Sequence, residues 1–262
     1  MRALRVGWLL GACVATFSAA PLPSRAAVPA EPPVPVLVEL FTSEGCSSCP
    51  PADQLLIELV RTRFIAGAQI VALSEHVDYW NQLGWTDPFS SSQFSERQTA
   101  YGRALHDEVY TPQVIVNGRV AAVGSNRAEV LDAVRSVTDK PFASMQLSWT
   151  PELRIEVPAT RLTAGADVYV AITEDGLKST VRRGENEGRE LEHVAVTRRL
   201  TRIGATSREG SFSQTVPIAP MLDPAWRRDA LRVVVFLQTK GGVVGVSAVP
   251  VATHNPQLTT NR

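Results

Sequence analysis

Two cysteines separated by two serines, Cys46 and Cys49, are the residues of this sequence whose type and spacing carry the clearest chemistry. The third cysteine, Cys13, falls in an N-terminal apolar stretch, and once that stretch is removed the pair has no partner but itself. A bridge across Ser47-Ser48 closes almost no loop, so it adds little of the constraint on the unfolded chain that makes a structural disulfide useful. The spacing suits a pair that opens and closes. From Pro50 the apolar residues take helical spacing, with Leu55, Leu56, Leu59, Val60 and Phe64 on one face, and the prolines fall in a first turn, where a helix tolerates them. The cysteines therefore straddle a helix start. Unpaired backbone N–H groups and the positive end of the helix dipole favour a thiolate there. Cys46 is the expected attacking thiol, and Cys49 the thiol that resolves a mixed disulfide. An inert local bridge is the alternative.

The other polar candidates follow a second apolar run, Ile70 to Leu73. His76, Asp78 and Trp80 open a long loop that ends at Phe89, and loops of that length usually have a function. If the two apolar runs are parallel strands, their carboxyl ends share one rim, and His76, Asp78 and Trp80 lie near the cysteines. An imidazole or carboxylate there can relay the proton of Cys49. The alternative is that His76 and Asp78 only hydrogen-bond the loop while Tyr79, Trp80 and Trp85 pack it. His106 and His193 are read as structural or solvent-exposed. A different chemistry for the same residues is soft-metal handling, with both thiolates and His76 binding Cu(I). Disulfide exchange itself needs no dissociable cofactor and no metal.

These residues need a scaffold. Val36 to Phe41 reads as a strand buried on both faces, followed by the helix from Pro50, the strand Ile70 to Leu73, and a second helix capped by Ser90 and Gln93 with Phe94, Tyr101 and Leu105 on its buried side. Val114 to Val116 and Val120 to Val123, joined by Asn117-Gly118, form a hairpin. Asn126 and Glu129 cap a third helix. A parallel pair joined through a helix, then a hairpin, gives a mixed α/β sheet with helices on both faces over residues 36–140. After Pro141 the pattern becomes alternation of period two without a convincing helix, which predicts an all-β, sandwich-like domain over residues 142–252 and a flexible tail over 253–262.

The 262 residues, 44% hydrophobic, suit two domains, and 26 basic residues balance 26 acidic ones, which argues against nucleic acid as a partner. Residues 1–26 read as an export signal, with Arg2 and Arg5 before an apolar stretch and small residues at Ser24-Arg25-Ala26. The stretch is shorter than the ~20 residues that span a bilayer, so no stable membrane span is expected after cleavage. Leu10-Gly11-Ala12-Cys13 offers a lipid-anchored alternative. Residues 27–35 read as a Pro/Ala-rich leader, and the mature protein is expected in the periplasm or outside the cell.

The order of elements in residues 36–140 is similar to the thioredoxin core. Beyond the order, three segments, Phe41-Thr42-Ser43-Glu44-Gly45-Cys46-Ser47-Ser48-Cys49-Pro50-Pro51-Ala52-Asp53, His76-Val77-Asp78-Tyr79-Trp80 and Thr111-Pro112-Gln113-Val114, resemble a secreted bacterial family known only as a domain of unknown function with a thioredoxin-like fold. The resemblance extends over nearly the whole mature chain, including Gly184-Glu185-Asn186 to His193. It implies that Thr111-Pro112 occupies the place where thioredoxin-like proteins carry a cis-proline facing the cysteine pair, where the Thr111 backbone would bind an extended partner chain. A trans proline at a strand start is the alternative. Thioredoxins carry Trp before the first cysteine and Gly-Pro between the two, whereas this chain has Gly45 and Ser47-Ser48, and those dipeptides set redox poise. The first expectation is thus an exported thiol-disulfide oxidoreductase acting on protein thiols or disulfides, with the β-rich half selecting a partner or holding two copies together. A non-catalytic binding protein with an inert bridge is the remaining alternative.

Overall fold

In the computed structural model the described residues are 33–251, apart from 66 and 150. The signal (1–26), the leader up to residue 32 and the tail (253–262) lie outside them. The first half runs β1 (Val34–Thr42), α1 (Pro50–Thr62), β2 (Phe64–Ile65), β3 (Ala68–His76), α2 (Ser92–Leu105), β4 (Gln113–Val116), β5 (Val120–Val123) and α3 (Arg127–Arg135). The second half adds β6 (Gln146–Trp149), β7 (Leu153–Val157), β8 (Asp167–Glu174), β9 (Leu177–Thr180), β10 (Glu190–His193) and β11 (Val196–Ala205). It ends with β12 (Phe212–Val216), β13 (Leu231–Thr239) and β14 (Gly242–Pro250). Among the described residues no helix is long and apolar enough to cross a membrane.

The main sheet is mixed, in the order β14-β13-β8-β11-β3-β1-β4-β5, with β2 also paired to β3. β1 and β3 are parallel, and β4 runs antiparallel to β1. One face of β1, β3 and β4, including Val38, Leu40, Ile70 and Val114, packs on Leu55, Leu56 and Leu59 of α1 and on Val130 and Val134 of α3. The opposite face, with Leu37, Phe41, Leu73 and Ile115, packs on Phe94 and Tyr101 of α2. Two strand faces buried at once explain why β1 reads as a nearly continuous apolar run.

The boundary expected near residue 141 does not interrupt this sheet. Strands β8, β11, β13 and β14 from the β-rich half extend it, joined to the first half by a parallel bridge between Val196 of β11 and Ser74 of β3. Residues 33–251 accordingly fall in one compact unit. What stands apart from the sheet is the three-stranded β12-β7-β6, whose Leu153, Ile155 and Val157 pack on Val168, Val170, Val233 and Val235, and the hairpin β9-β10. Period-two alternation reports that one face of a strand is buried, but carries no information about which strand lies beside it. The edge of β3 away from β1 is paired by β2 at Ala68 and Gln69 and by β11 at Ser74.

Smaller differences have local causes. α1 stops at Thr62, with Arg63 at φ 60°, so Phe64 leaves the helix face and is 56% exposed in β2. α2 is capped by Ser91, which accepts from the Gln93 N–H at 3.3 Å, rather than by Ser90. The Asn117-Gly118 turn has positive φ at both residues, as a tight hairpin of this hand requires, and the Asn117 Oδ1 also accepts from the Leu37 N–H at 2.8 Å. β3 continues through Ser74-Glu75-His76, which are polar yet buried.

Glu75 shows how that burial is met. It faces α2 beside Glu39, whose carboxylate accepts from Arg97 Nε at 2.6 Å and from the Tyr101 hydroxyl at 2.7 Å. Arg97 Nε stays 3.6 Å from Glu75, and neither Glu75 oxygen has a hydrogen-bond partner. Burial, then the neighbouring Glu39, push the Glu75 carboxyl well above its usual range, against the pull of Arg97. The folded state therefore keeps a proton that the unfolded chain releases, and stability falls as pH rises from the ordinary carboxylate value through the raised one. Glu75→Gln is expected to remove that loss and raise the melting temperature at pH 8 by about 2–4 °C, with little change at pH 4. Thermal scans across pH check it. A parallel fall of both proteins on the alkaline side would contradict it.

Candidate active site around Cys46 and Cys49

Chain geometry at the end of β1 assembles the cysteine pair. The Ser43 Oγ accepts from the Gly45 N–H at 3.1 Å, the Cys46 N–H reaches the Ser43 carbonyl at 3.2 Å, and the Cys49 N–H reaches the Cys46 carbonyl at 3.2 Å. α1 then begins with Cys49 as its N-cap and the prolines in its first turn. Cys46 and Cys49 are joined in a disulfide with a Cα–Cα distance of 5.4 Å. Gly45 sits in close approach to the following loop: a Cβ there would lie 3.2 Å from the Trp80 Cβ, so Trp80 would have to give by a few tenths of an ångström.

Opposite the pair, the Thr111-Pro112 peptide bond is cis. Ser48 connects the two, with its Oγ 3.3 Å from the Cys46 sulfur and donating to the Thr111 carbonyl at 3.4 Å. Trp80 Nε1 donates to the Thr111 Oγ1 at 2.8 Å, so the loop after β3 braces the proline turn.

Both cysteines are fully buried, although Ser47 and Ser48 are exposed. A strap over residues 181–189, between β9 and β10, is bonded to the segment that carries Cys46. It is closed on itself by Val181 N–H to the Arg189 carbonyl at 3.0 Å and Gly188 N–H to the Val181 carbonyl at 2.9 Å. From it the buried Asn186 donates through Nδ2 to the carbonyls of Glu44 and Cys46, both at 2.9 Å. The Glu185 carboxylate accepts the Ser47 N–H at 3.0 Å, and hydrogen bonding from Ser47, its side chain first and its N–H second, holds the carboxyl below the usual range.

Around the pair lies a buried set of acids and imidazoles. Glu44 accepts from Trp85 Nε1 at 2.8 Å and from the Ser179 hydroxyl, and lies 3.1 Å from His193 Nε2. Asp87 accepts the Glu44 N–H at 2.8 Å and pairs with His76 Nδ1 at 2.7 Å. Asp53, on α1, accepts from the Thr42 hydroxyl at 3.0 Å, and its Oδ2 lies 3.9 Å from His193 Nδ1. The two imidazoles meet edge to face with centroids 4.8 Å apart, and Phe89 packs on both. Burial pushes the Asp53 carboxyl up, against the opposing pull of His193 and His76. Burial alone would lower the His76 imidazole, but the Asp87 carboxylate outweighs it and the net shift is upward. For Asp87 burial acts upward, and His76 with the N–H groups of Glu44 and Phe89 brings it below its usual value.

The structure thus gathers Cys46, Cys49, Thr111, Pro112 and Trp80 in one place, with His76 in the buried set. Asp78 is a correction: its Oδ1 accepts from the Ser95 hydroxyl at 2.5 Å, so it ties the loop to α2 and joins none of the bonds around the cysteines. His193, read as structural or exposed, is buried beside Glu44 and Asp53. His106 closes the C-terminus of α2 in a left-handed conformation. In this structure the two sulfurs are bonded to each other and His76 Nδ1 pairs with Asp87. Among the described residues no three His, Cys, Asp or Glu side chains are placed to hold a metal ion. Sequence reasoning assigned no role to Glu44, Asp53, Asp87, Ser179, Glu185 or Asn186, and gave Trp85 only loop packing. A signal existed for the first two, as acids in a segment otherwise of apolar and small residues.

Comparison with known proteins gives the following. The model of a family described as a protein of unknown function (DUF1223) matches residues 37–238. A crystal structure of a protein from Agrobacterium tumefaciens is similar over 84% of this chain and 96% of that one, with 30% identity and a TM-score of 0.68. HBP35 of Porphyromonas gingivalis is similar over 88% of this chain and 78% of its own, with a TM-score of 0.60. Its 13% identity makes that a likeness of fold. No curated protein matches the chain.

Proposed function

Because the chain belongs to the DUF1223 family, whose function is unknown, its chemistry has to come from its own residues, and we propose a thiol-disulfide exchange protein on a thioredoxin-like scaffold, working through Cys46 and Cys49. The observation that carries this reading is a disulfide at the start of α1 linked through Ser48 to a cis Thr111-Pro112 turn. The run β1, α1, β3, α2, β4, β5, α3 supports the thioredoxin-like assignment of the first half. Export, expected from residues 1–26, suits a pair kept oxidised.

The steps balance as follows. A thiolate of a partner dithiol attacks the Cys46 sulfur, the Cys46–Cys49 bond breaks, and Cys49 leaves with the electron pair and takes a proton. The partner's second thiolate then attacks its own sulfur in the mixed disulfide and releases Cys46 as a thiolate. The partner is oxidised by two electrons and the protein reduced by two. Run backwards, the same steps reduce a partner disulfide, with Cys46 attacking and Cys49 resolving. The Thr111 backbone offers hydrogen-bonding groups to an extended partner segment.

The test is the reduction potential of the pair, read by equilibrating the protein in graded thiol-disulfide buffers and trapping its thiols. A value between about −120 and −270 mV is expected, the span of working exchange proteins, and its place in that span gives the direction of electron flow. A value below about −300 mV identifies a structural bridge and overturns the reading.

A further inference from the structure

Resting on that reading, we propose that Asp53 delivers the proton exchanged at Cys49 and that His193, brought in by the β9-β10 hairpin and oriented by Glu44, takes up the proton that compensates the charge left on Asp53. Glu44 lies 3.1 Å from Nε2 and, as a carboxylate, selects the tautomer that donates from that nitrogen. The lone pair of Nδ1 then points away from Glu44. Nδ1 is buried, has no hydrogen-bond partner and lies 3.9 Å from Asp53 Oδ2. A buried ring nitrogen without a partner is costly in a core unless its use comes at another stage of the reaction. Asp53 is one helical turn beyond Cys49, on the same side of α1, and its N–H donates to the Cys49 carbonyl at 3.2 Å.

The sequence of steps starts with the proton on Asp53, the form that burial favours, and with the Nδ1 lone pair of His193 unshared. When the disulfide takes two electrons from a partner dithiol, Cys49 leaves as a thiolate and receives the proton from Asp53. The Asp53 carboxylate now stands beside His193, which takes a proton released by the partner thiols at Nδ1 and becomes an imidazolium between Glu44 and Asp53. In the reverse direction the proton returns by the same route and Cys49 is freed to attack the mixed disulfide. The 3.9 Å gap is about 1 Å longer than a hydrogen bond and closes with a small side-chain movement of Asp53 or His193. The titratable groups facing His193 are Glu44 before α1, Asp53 on α1, His76 at the end of β3 and Asp87 in the following loop. Arg198 lies over the Phe89 ring at 5.3 Å, and Phe89 in turn packs on His193. His76 pairs through Nδ1 with Asp87 and its Nε2 is likewise buried without a partner, but it is the His193 Nδ1 that lies 3.9 Å from an Asp53 oxygen.

The experiment is single-turnover reduction of the oxidised protein by a small dithiol, followed from pH 5 to 9, for the wild type and His193→Gln, with the potential of each at pH 7. The wild type is expected to show an ionisation of its own beyond that of the dithiol. His193→Gln is expected to lose it and to react about tenfold or more slowly at pH 7 while keeping a potential in the working range. Superimposable profiles in two folded proteins overturn the relay and leave the exchange reading standing. A wild-type disulfide that does not cycle overturns both. If His193→Gln does not fold, the ring nitrogen shifts of wild-type His193 decide: Nδ1 gains a proton on reduction if the relay operates, and the same state in both redox forms overturns it.

Discussion

Asn186→Ala is expected to make the disulfide far more reactive toward a small dithiol while destabilising the protein. Asn186 is fully buried and gives both hydrogens of one amide nitrogen to the carbonyls of Glu44 and Cys46. Each such bond contributes about 1 kcal/mol, so the strap loses roughly 2 kcal/mol of attachment, and the Glu44 carbonyl loses its donor while the Cys46 carbonyl keeps the Cys49 N–H. Since every 1.4 kcal/mol is tenfold, the open form becomes about 10- to 30-fold more populated, and reduction through it accelerates in proportion. Glu185→Ala removes a solvent-exposed bond and is expected to give at most about a threefold change. Stopped-flow fluorescence reads both rates, since Trp80 and Trp85 border the site. An unchanged rate for Asn186→Ala would show that the strap is not the barrier.

Cys46→Ser is expected to abolish exchange, and Cys49→Ser to stop it halfway with a partner held on Cys46. The asymmetry follows from position. Cys46 precedes the helix, with the exposed Ser47-Ser48 and the Thr111 carbonyl beside it, whereas Cys49 is the N-cap of α1. An incoming thiolate approaches from the serine side and meets Cys46 first. A mixed disulfide isolated on Cys46 of the Cys49→Ser protein, seen by non-reducing electrophoresis and mass spectrometry, checks this. Capture through Cys49 of the Cys46→Ser protein would reverse the assignment.

Local chemistry made much of this legible from residues alone. Pro50-Pro51 after Cys49 announced the helix start, Asn117-Gly118 the hairpin, and Asn126 with Glu129 the cap of α3, because each is a short-range requirement on the backbone. The mixed sheet followed from the order of elements. What was not legible depends on contacts between distant residues. The Val196 to Ser74 bridge that turns two expected domains into one sheet leaves no mark in the alternation of either strand. The same holds for His193, which lies 149 residues from Glu44 and sits in a charged stretch that reads as solvated surface. A buried acid and a buried base look alike in sequence to exposed ones until their partners are known. Asp78 erred the other way: it stands two residues from His76, but the turn of the chain aims it at Ser95.

The cover on the disulfide has an order of arrival. Asn186 is 140 residues downstream of Cys46, so a chain emerging from the ribosome carries both cysteines long before any residue that shields them exists. The residues that hold the pair from the strap side thus come from a part of the sequence far downstream of it. The strap records that order: it can close only on a chain made at least as far as Arg189.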